Sequence, residues 1–358
     1  MSGRVIVAMS GGVDSSVAVL LLQRHGYDVI GVTLRLAAAS GHGDRPTCCG
    51  TAGVEDARQV AMRIGIPFYV WNYEQWFEET VIAPFCAAYS LGRTPNPCVD
   101  CNTHVKFGKL LQTALAVGAD YVATGHYARL ERARAADDVV LSKGRDARRD
   151  QSYFLYVLPH ERMDRVLFPL GDLTKEQVRG IAAAAGLPVH DKPASQDICF
   201  VQAHGYQGLL RERNAAALYP GPIVDEQGAI IGEHRGIGAY TVGQRRGLGI
   251  AAGRPLYVRA IEPVGNRIVV TAKEHLFCRT LRVGNVNWLV SYPPAGRMQL
   301  AVKTRYRTPE ATAEVAVDSA AHATVEFHRP QPVVAPGQSA VFYHGDRVIG
   351  GGVIDSYE

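Results

Sequence analysis

No stretch of this 358-residue chain is apolar for long enough to cross a membrane, and the opening run, Val5 to Met9, is too short for the core of a signal peptide. Excess charge of one sign is also lacking. Against 38 Lys and Arg stand 34 Asp and Glu, a formal net charge of +4 that permits a nucleic-acid partner without requiring one. Internal repeats, heptad runs and low-complexity segments are absent, which argues against a solenoid, a coiled coil or wholesale disorder. Cysteine is sparse and odd in number, seven in all. With no export signal, that count speaks against a disulfide framework and for free thiols, a metal site or redox chemistry. The expectation is a soluble, cytoplasmic protein.

What the chain does have is a core: 47% of its residues are hydrophobic, enough at this length for two or three domains. From Arg4 to about Gly186, short β-branched runs alternate with helical patterns, the mark of an α/β domain with a parallel sheet covered on both faces. Strands are expected at Val5–Met9, Val29–Leu34, Pro67–Trp71 and Tyr121–Thr124, with Val54, Ala57, Ala61 and Ile64 at helical spacing between them. Thr174 and Gln177 can form a capping box for a helix over Thr174–Ala185, closed by Gly186. After about residue 200 the texture changes to short strands punctuated by Gly and Pro, and from about Arg279 nearly every segment reads as β. The organisation expected is therefore a nucleotide-binding and catalytic α/β domain over 1–200, a small central domain over 201–275 and a C-terminal β-barrel-like domain over 276–358.

The first strand runs into Ser10-Gly11-Gly12-Val13-Asp14-Ser15-Ser16, and an apolar helical pattern follows at once. Two glycines let backbone approach a phosphate, the first-turn N–H groups point at it, and the serines add donors. The Lys-Ser/Thr ending of a Walker loop is missing, so no cation is built into the loop, and Mg²⁺ would neutralise the nucleotide. The bland alternative is a tight turn rich in small residues. The SGGVDSS run resembles the pyrophosphatase loop of the ATP-pyrophosphatase superfamily, which splits ATP between its α and β phosphates to adenylate a substrate oxygen. Leu34 and Gly125, at the ends of the second and a later strand, fall where an adenine pocket would lie.

Cys98 and Cys101 belong to a proline-stiffened segment, Gly92 to Asn102, ahead of a helical pattern at His104–Val117. A helix start, with Arg93 and Lys106 near in sequence, favours thiolate. Structural zinc would want a second spaced pair, whereas Cys48 and Cys49 are adjacent. A thioredoxin-like role conflicts with a nucleotide loop in the first βα unit. Cys199, between Ile198 and Phe200, reads on its own as core filler. Cys48, Cys49, Cys86 and Cys278 suggest only packing or exposed thiols.

Taken in order, SGGVDSS, GVEDARQVA, GRTPNP with its following cysteines, TGHYAR, RDQSYFLY, SQDICF, TVGQRRGLGI, KTRYR and PGQSAVFYHG give a chain that closely resembles tRNA-specific 2-thiouridylases from its first strand to its last segment. The resemblance implies adenylation of the C2 oxygen of the wobble uridine of a transfer RNA by ATP, then replacement of that oxygen by sulfur. It implies Cys101 as nucleophile and Cys199 as bearer of a persulfide from an upstream sulfur donor or carrier protein, with a disulfide between them after transfer. By the same resemblance, Ala8, Met9, Ser10, Gly11, Gly12, Val13, Asp14, Ser15, Leu34 and Gly125 contact ATP, and Asn96, Pro97 and Cys98 meet the target base. His126, Arg149, Asp150, Gln151, Arg305, Tyr306 and Gln338 contact the transfer RNA. Independently of the resemblance, strand alternation over Val302–Arg307 would put Lys303, Arg305 and Arg307 on one face, suited to phosphates, though a solvated barrel face reads equally well.

The chain departs from the family pattern at Cys98, where many members carry an aspartate able to act as acid or base. Asp100 is no obvious substitute. Cys98, Cys101 and Cys199 could instead hold three corners of a [4Fe–4S] cluster. Two rival readings remain: an amide-forming synthetase of the same superfamily, which needs no thiol, and a non-catalytic nucleotide- or RNA-binding module.

Overall fold

The computed structural model of the chain describes residues 3–36, 51–132, 139–193, 198–201, 205–290 and 296–358. Cys48, Cys49 and residues 195–197 of the SQDICF motif lie outside them. β1 (Arg4–Ala8), β2 (Asp28–Arg35), β3 (Phe68–Asn72) and β4 (Tyr121–Ala123) form, with the short β7 (Val166–Leu167), a parallel sheet in the order β3-β2-β1-β4-β7. The strands stand where the hydrophobic runs place them, within a residue or two. Alternation along them feeds two cores. Ile6, Val32 and Leu34 face the helical runs 74–90 and 97–116, whereas Val5, Val7 and Val29 face α1 (Val13–Arg24), α2 (Thr51–Ile64) and the helix Lys175–Ala184. Each fully buried aliphatic side chain there contributes about 1.5–3 kcal/mol. The capping box at Thr174 forms as the sequence suggests, with both reciprocal bonds made.

Between β4 and β7 the chain makes a hairpin, β5 (Ala128–Arg132) and β6 (Val139–Lys143). Downstream, β8 (Gly221–Val224), β9 (Ile230–His234), β10 (Tyr257–Glu262) and β11 (Arg267–Thr271) make a small sheet in the order β10-β11-β8-β9. The last six strands are β12 (Phe277–Trp288), β13 (Arg297–Lys303), β14 (Ala311–Ser319), β15 (His322–Pro332), β16 (Ser339–His344) and β17 (Arg347–Tyr357). They pair in the order β12-β15-β14-β13-β16-β17, and β12 also meets β17, so the sheet closes into a barrel. Residues two apart, such as Leu281 and Val283, Leu300 and Val302, or Ala313 and Val315, fill its interior. Among the described residues no helix is long and apolar enough to cross a membrane.

The barrel is not a separate appendage. β6 pairs with β17, and Lys143 Nζ binds Glu310 at 2.7 Å. Asn287 Nδ2 donates to the carbonyls of Tyr156 and Leu158, and the Tyr153 and Tyr156 hydroxyls reach Ser339 at 3.1 Å. Thr94 N–H donates to Pro336 O at 2.8 Å. The barrel thus holds two segments that carry site residues of the α/β domain, 92–96 and 150–158.

Candidate functional site

The loop leaving β1 is held open. Met9 N–H donates to Val32 O and Thr33 Oγ1 donates to Met9 O, both at 2.8 Å, so the strand ends tie the loop's entrance to β2. Gly11 adopts φ +68°, a left-handed conformation, and a Cβ there would lie 2.2 Å from Gly53 O. Ser15 Oγ and Ser16 Oγ both donate back to Gly12 O, at 3.1 and 2.9 Å. Gly12 caps α1 without a side-chain hydrogen bond, which leaves first-turn N–H groups to an anion. Leu34 is buried in the core beneath, and Gly125 abuts the start of α1. A methyl group at Gly125 would sit 2.7 Å from Ser15 N and 2.8 Å from the Asp14 carbonyl carbon, both backbone atoms that cannot swing aside. Gly125→Ala is therefore expected to push the helix start out of place and weaken ATP binding roughly tenfold or more, as overpacking of about 1–3 kcal/mol implies. Calorimetric titration of ATP checks it, and unchanged affinity would refute the close-approach argument.

The loop has no cation of its own, but side-chain cations from later in the chain reach it. Lys175 Nζ donates to Asp14 Oδ1 and Oδ2 at 2.6 and 2.7 Å, and the Tyr127 hydroxyl donates to the same carboxylate at 2.7 Å. Burial, with the Asp14 charge next, pushes the Tyr127 hydroxyl far above its ordinary range, so it remains a donor. Lys192 Nζ pairs with Asp56 of α2 and donates to Gly11 O at 3.0 Å. With its carboxylate committed to Lys175 and Tyr127, Asp14 is not presented as a Mg²⁺ ligand.

The cysteines are placed differently from the expectation. Cys98 and Cys101 lie within a helical run, not in a loop ahead of one. It is α-helical over Pro97–Asp100, widens to π-helical over Cys101–Leu110 and resumes as α over Leu111–Ala116. The reason is Pro97 at the first helical position, where its fixed φ favours a start and its missing N–H costs nothing. A Cβ at Gly108 would stand 2.6 Å from Thr103 O, so glycine is what admits the wide turn. Cys98 is exposed in the first turn and Cys101, a turn later, is half-buried. The positive field of the helix start is thus felt at Cys98 before Cys101. Buried Asn102 fixes this turn, donating to Phe154 O at 2.9 Å and accepting from Lys106 Nζ at 2.9 Å. Arg93, expected to favour a thiolate, pairs with Asp355 at 3.4 Å. Burial lifts the Asp100 carboxyl to about 6.

Cys199 is half-buried, and its neighbour Phe200 packs edge-on against Phe77 and Phe85 at 5.6 and 5.3 Å. Cys101 and Cys199 flank the same buried cluster. Among the described residues no three His, Cys, Asp or Glu side chains gather as a ligand set for a single metal ion. Cys86 and Cys278 are buried packing residues, and burial raises both thiols, Cys278 to about 11.

The residues matched to RNA contacts sort into two kinds. Arg149 is exposed, and Arg305 lines a cleft of about 640 Å³ at the barrel with His328 and Arg329. Others face inward. Asp150 accepts from Gly144 N and from Ser152 N and Oγ, and Gln151 Oε1 accepts from Tyr127 N, so both shape their loop. His126 sits between Phe107 and Phe168, and burial holds it well below the usual imidazole range. Tyr306 packs on Phe154 at 4.6 Å between ring centres. Gln338 Nε2 donates to Thr94 O at 2.8 Å, bracing the segment ahead of the cysteines together with Asn96, which caps the helix, and buried Pro97. The one-face pattern expected for Lys303, Arg305 and Arg307 does not form, because β13 ends at Lys303 and the chain turns there.

Three family models match the chain in succession: a tRNA methyl transferase HUP domain over residues 3–203, a tRNA methyl transferase PRC-barrel domain over 208–272 and an aminomethyltransferase β-barrel domain over 278–354. The chain is 46% identical to the tRNA-specific 2-thiouridylase MnmA of Moorella thermoacetica over 357 residues, covering 98% of this chain and 99% of that protein. It is also 46% identical to tRNA-specific 2-thiouridylase MnmA 1 of Syntrophus aciditrophicus, over 98% of this chain and 92% of the other. For the Chloroflexus aggregans tRNA-specific 2-thiouridylase MnmA the identity is 47%, with 98% of each chain covered.

Proposed function

Because the chain belongs to the tRNA-specific 2-thiouridylases, tRNA sulfurtransferases that it matches along nearly its whole length, we propose that sulfur reaches the uridine through Cys199 and Cys101. The observation that carries this route is the pair of half-buried thiols flanking one core, one on the helix 97–116 and the other anchored by Phe200. In this reading ATP binds along residues 8–15 with Leu34 and Gly125 nearby, and Mg²⁺ arrives with the phosphates. The uridine C2 oxygen attacks the α-phosphorus and pyrophosphate leaves. Cys199 carries a persulfide loaded by an upstream sulfur donor. The Cys101 thiolate attacks its inner sulfur, forming the Cys101–Cys199 disulfide and releasing hydrosulfide. Hydrosulfide adds at C2, the C–O bond breaks and AMP departs. An external thiol then reduces the disulfide. Asn96, Pro97 and Cys98 stand where the base would approach, while Arg149 and Arg305 offer cations to the RNA.

The test is nucleoside mass spectrometry of transfer RNA incubated anaerobically with the protein, ATP, Mg²⁺ and a sulfide source. A 2-thiouridine dependent on ATP is the expected product. A methylated nucleoside, or AMP formed with a small amine and no RNA, would replace the reading. In the same assay with a persulfide carrier as donor, Cys199→Ser is expected to abolish transfer and to remove the protein-bound persulfide seen by intact-mass measurement. A persulfide that survives the substitution refutes the assignment. Iron and sulfide retained after anaerobic reconstitution, and lost on substituting Cys98, would favour the cluster.

A further inference from the structure

We infer that Lys192 is the side-chain cation of the nucleotide site, holding the phosphates beyond the α position; the inference rests on the reading of residues 8–15 as the ATP loop. That loop offers an anion only N–H and hydroxyl donors, and its one charged side chain, Asp14, carries the wrong sign. Tertiary structure supplies two lysines. Lys175 is locked: it is buried, holds both Asp14 oxygens, and its Nζ lies 6.0 Å from the Tyr127 ring centre. Lys192 is held more loosely. Its side chain and that of Asp56 keep 21% and 33% of their surface in solvent, and among the described residues its ammonium meets one carboxylate oxygen and the Gly11 carbonyl.

An ammonium has three N–H donors, and the described residues engage two of those of Lys192, so a third can serve a ligand beside the loop's own backbone. Its place is set by α2, whose first turn abuts the loop closely enough that a Cβ on Gly11 would meet Gly53 O. Asp56, a little further along α2, thus parks Lys192 at the loop as a neutral pair. A polyphosphate presents more negative charge than one carboxylate, and the flexible lysine stem needs only a short swing to exchange one for the other. Lys192 also stands seven residues before Cys199, so the cation that meets the nucleotide and the thiol that carries sulfur share one segment.

Binding of ATP and of AMP, each with Mg²⁺, is to be measured calorimetrically on the full-length protein and on Lys192→Met, Lys192→Arg and Asp56→Asn. Lys192→Met should lose about ten- to hundredfold in ATP affinity, the worth of a charged hydrogen bond, and little for AMP. Lys192→Arg should recover much of the loss. Asp56→Asn frees the lysine and should bind ATP as well as the wild type or better. A purely structural pair predicts instead that Lys192→Met and Asp56→Asn weaken ATP alike, and that result overturns the inference, as does unchanged ATP affinity in Lys192→Met. Failure of the wild-type protein to bind ATP would remove the loop reading and this inference with it.

Discussion

Cys101→Ser is expected to release pyrophosphate in the presence of transfer RNA at close to the wild-type rate in the first turnover, while 2-thiouridine formation falls by roughly a thousandfold or more, the scale on which losing an essential nucleophile is felt. The two halves of the reaction use different parts of the molecule. In the proposed reaction adenylation draws on the loop at the end of β1 and on the start of α1, whereas residue 101 belongs to the helical run 97–116. Sulfur transfer needs a thiolate able to attack a persulfide, and a serine hydroxyl has neither the acidity nor the polarisable lone pairs for it. The substitution is also conservative in shape. Cys101 is half-buried, and its turn is pinned by neighbours: Asn102 by Phe154 O, and Thr103 Oγ1, which donates to Val99 O at 2.9 Å. Loss of activity then reports chemistry and not misfolding. The readouts are radiolabelled pyrophosphate release and nucleoside mass spectrometry on the same reaction. Wild-type thiolation by Cys101→Ser would move the nucleophile elsewhere, with Cys98, a turn earlier and exposed, next in line.

The parts of this site written in consecutive residues were legible, and those assembled across the chain were not. The strand, the two glycines and the apolar helix that follow one another from Val5 to Leu22 declare a phosphate loop because each piece constrains its neighbour. The capping box at Thr174 is equally local. Lys175, the next residue, carries no local signal because its role depends on Asp14, 161 positions away. Lys192 and Asp56 are separated by 136 positions and escaped for the same reason. Two local readings also went astray. Prolines around Asn96 suggested a loop where Pro97 in fact begins a helix, since the same residue suits both and only the partners downstream decide. Alternating cations after Val302 suggested a strand face, but β13 stops at Lys303, and Tyr306 turns in to pack on Phe154 of the α/β domain. Residues such as Asp150 and Gln338, matched to RNA contacts by motif, spend their hydrogen bonds inside the protein. Their influence on RNA would pass through the segments they hold.

The Lys175–Asp14 pair should govern whether the loop keeps its shape at all. Lys175→Met removes the ammonium from a carboxylate that, among the described residues, otherwise accepts from the Tyr127 hydroxyl, and does so from a lysine with 8% of its side-chain surface exposed. Breaking a buried pair from one side costs about 3–5 kcal/mol, and the lower end applies because Asp14 keeps 33% of its surface in water. The loss should appear locally, as faster amide hydrogen exchange in α1 and in the helix Lys175–Ala184, the two elements the pair joins. ATP affinity should fall with it, since an uncompensated Asp14 repels the phosphates it borders. The double variant Asp14→Asn/Lys175→Met tests the cause. Replacing both charges removes the stranded carboxylate, so protection in α1 should return most of the way towards wild type, with a coupling between the two sites of a few kcal/mol. If Lys175→Met alone costs less than about 1 kcal/mol, the pair behaves like an ordinary surface ion pair, and the loop owes its shape to its glycines and serines alone.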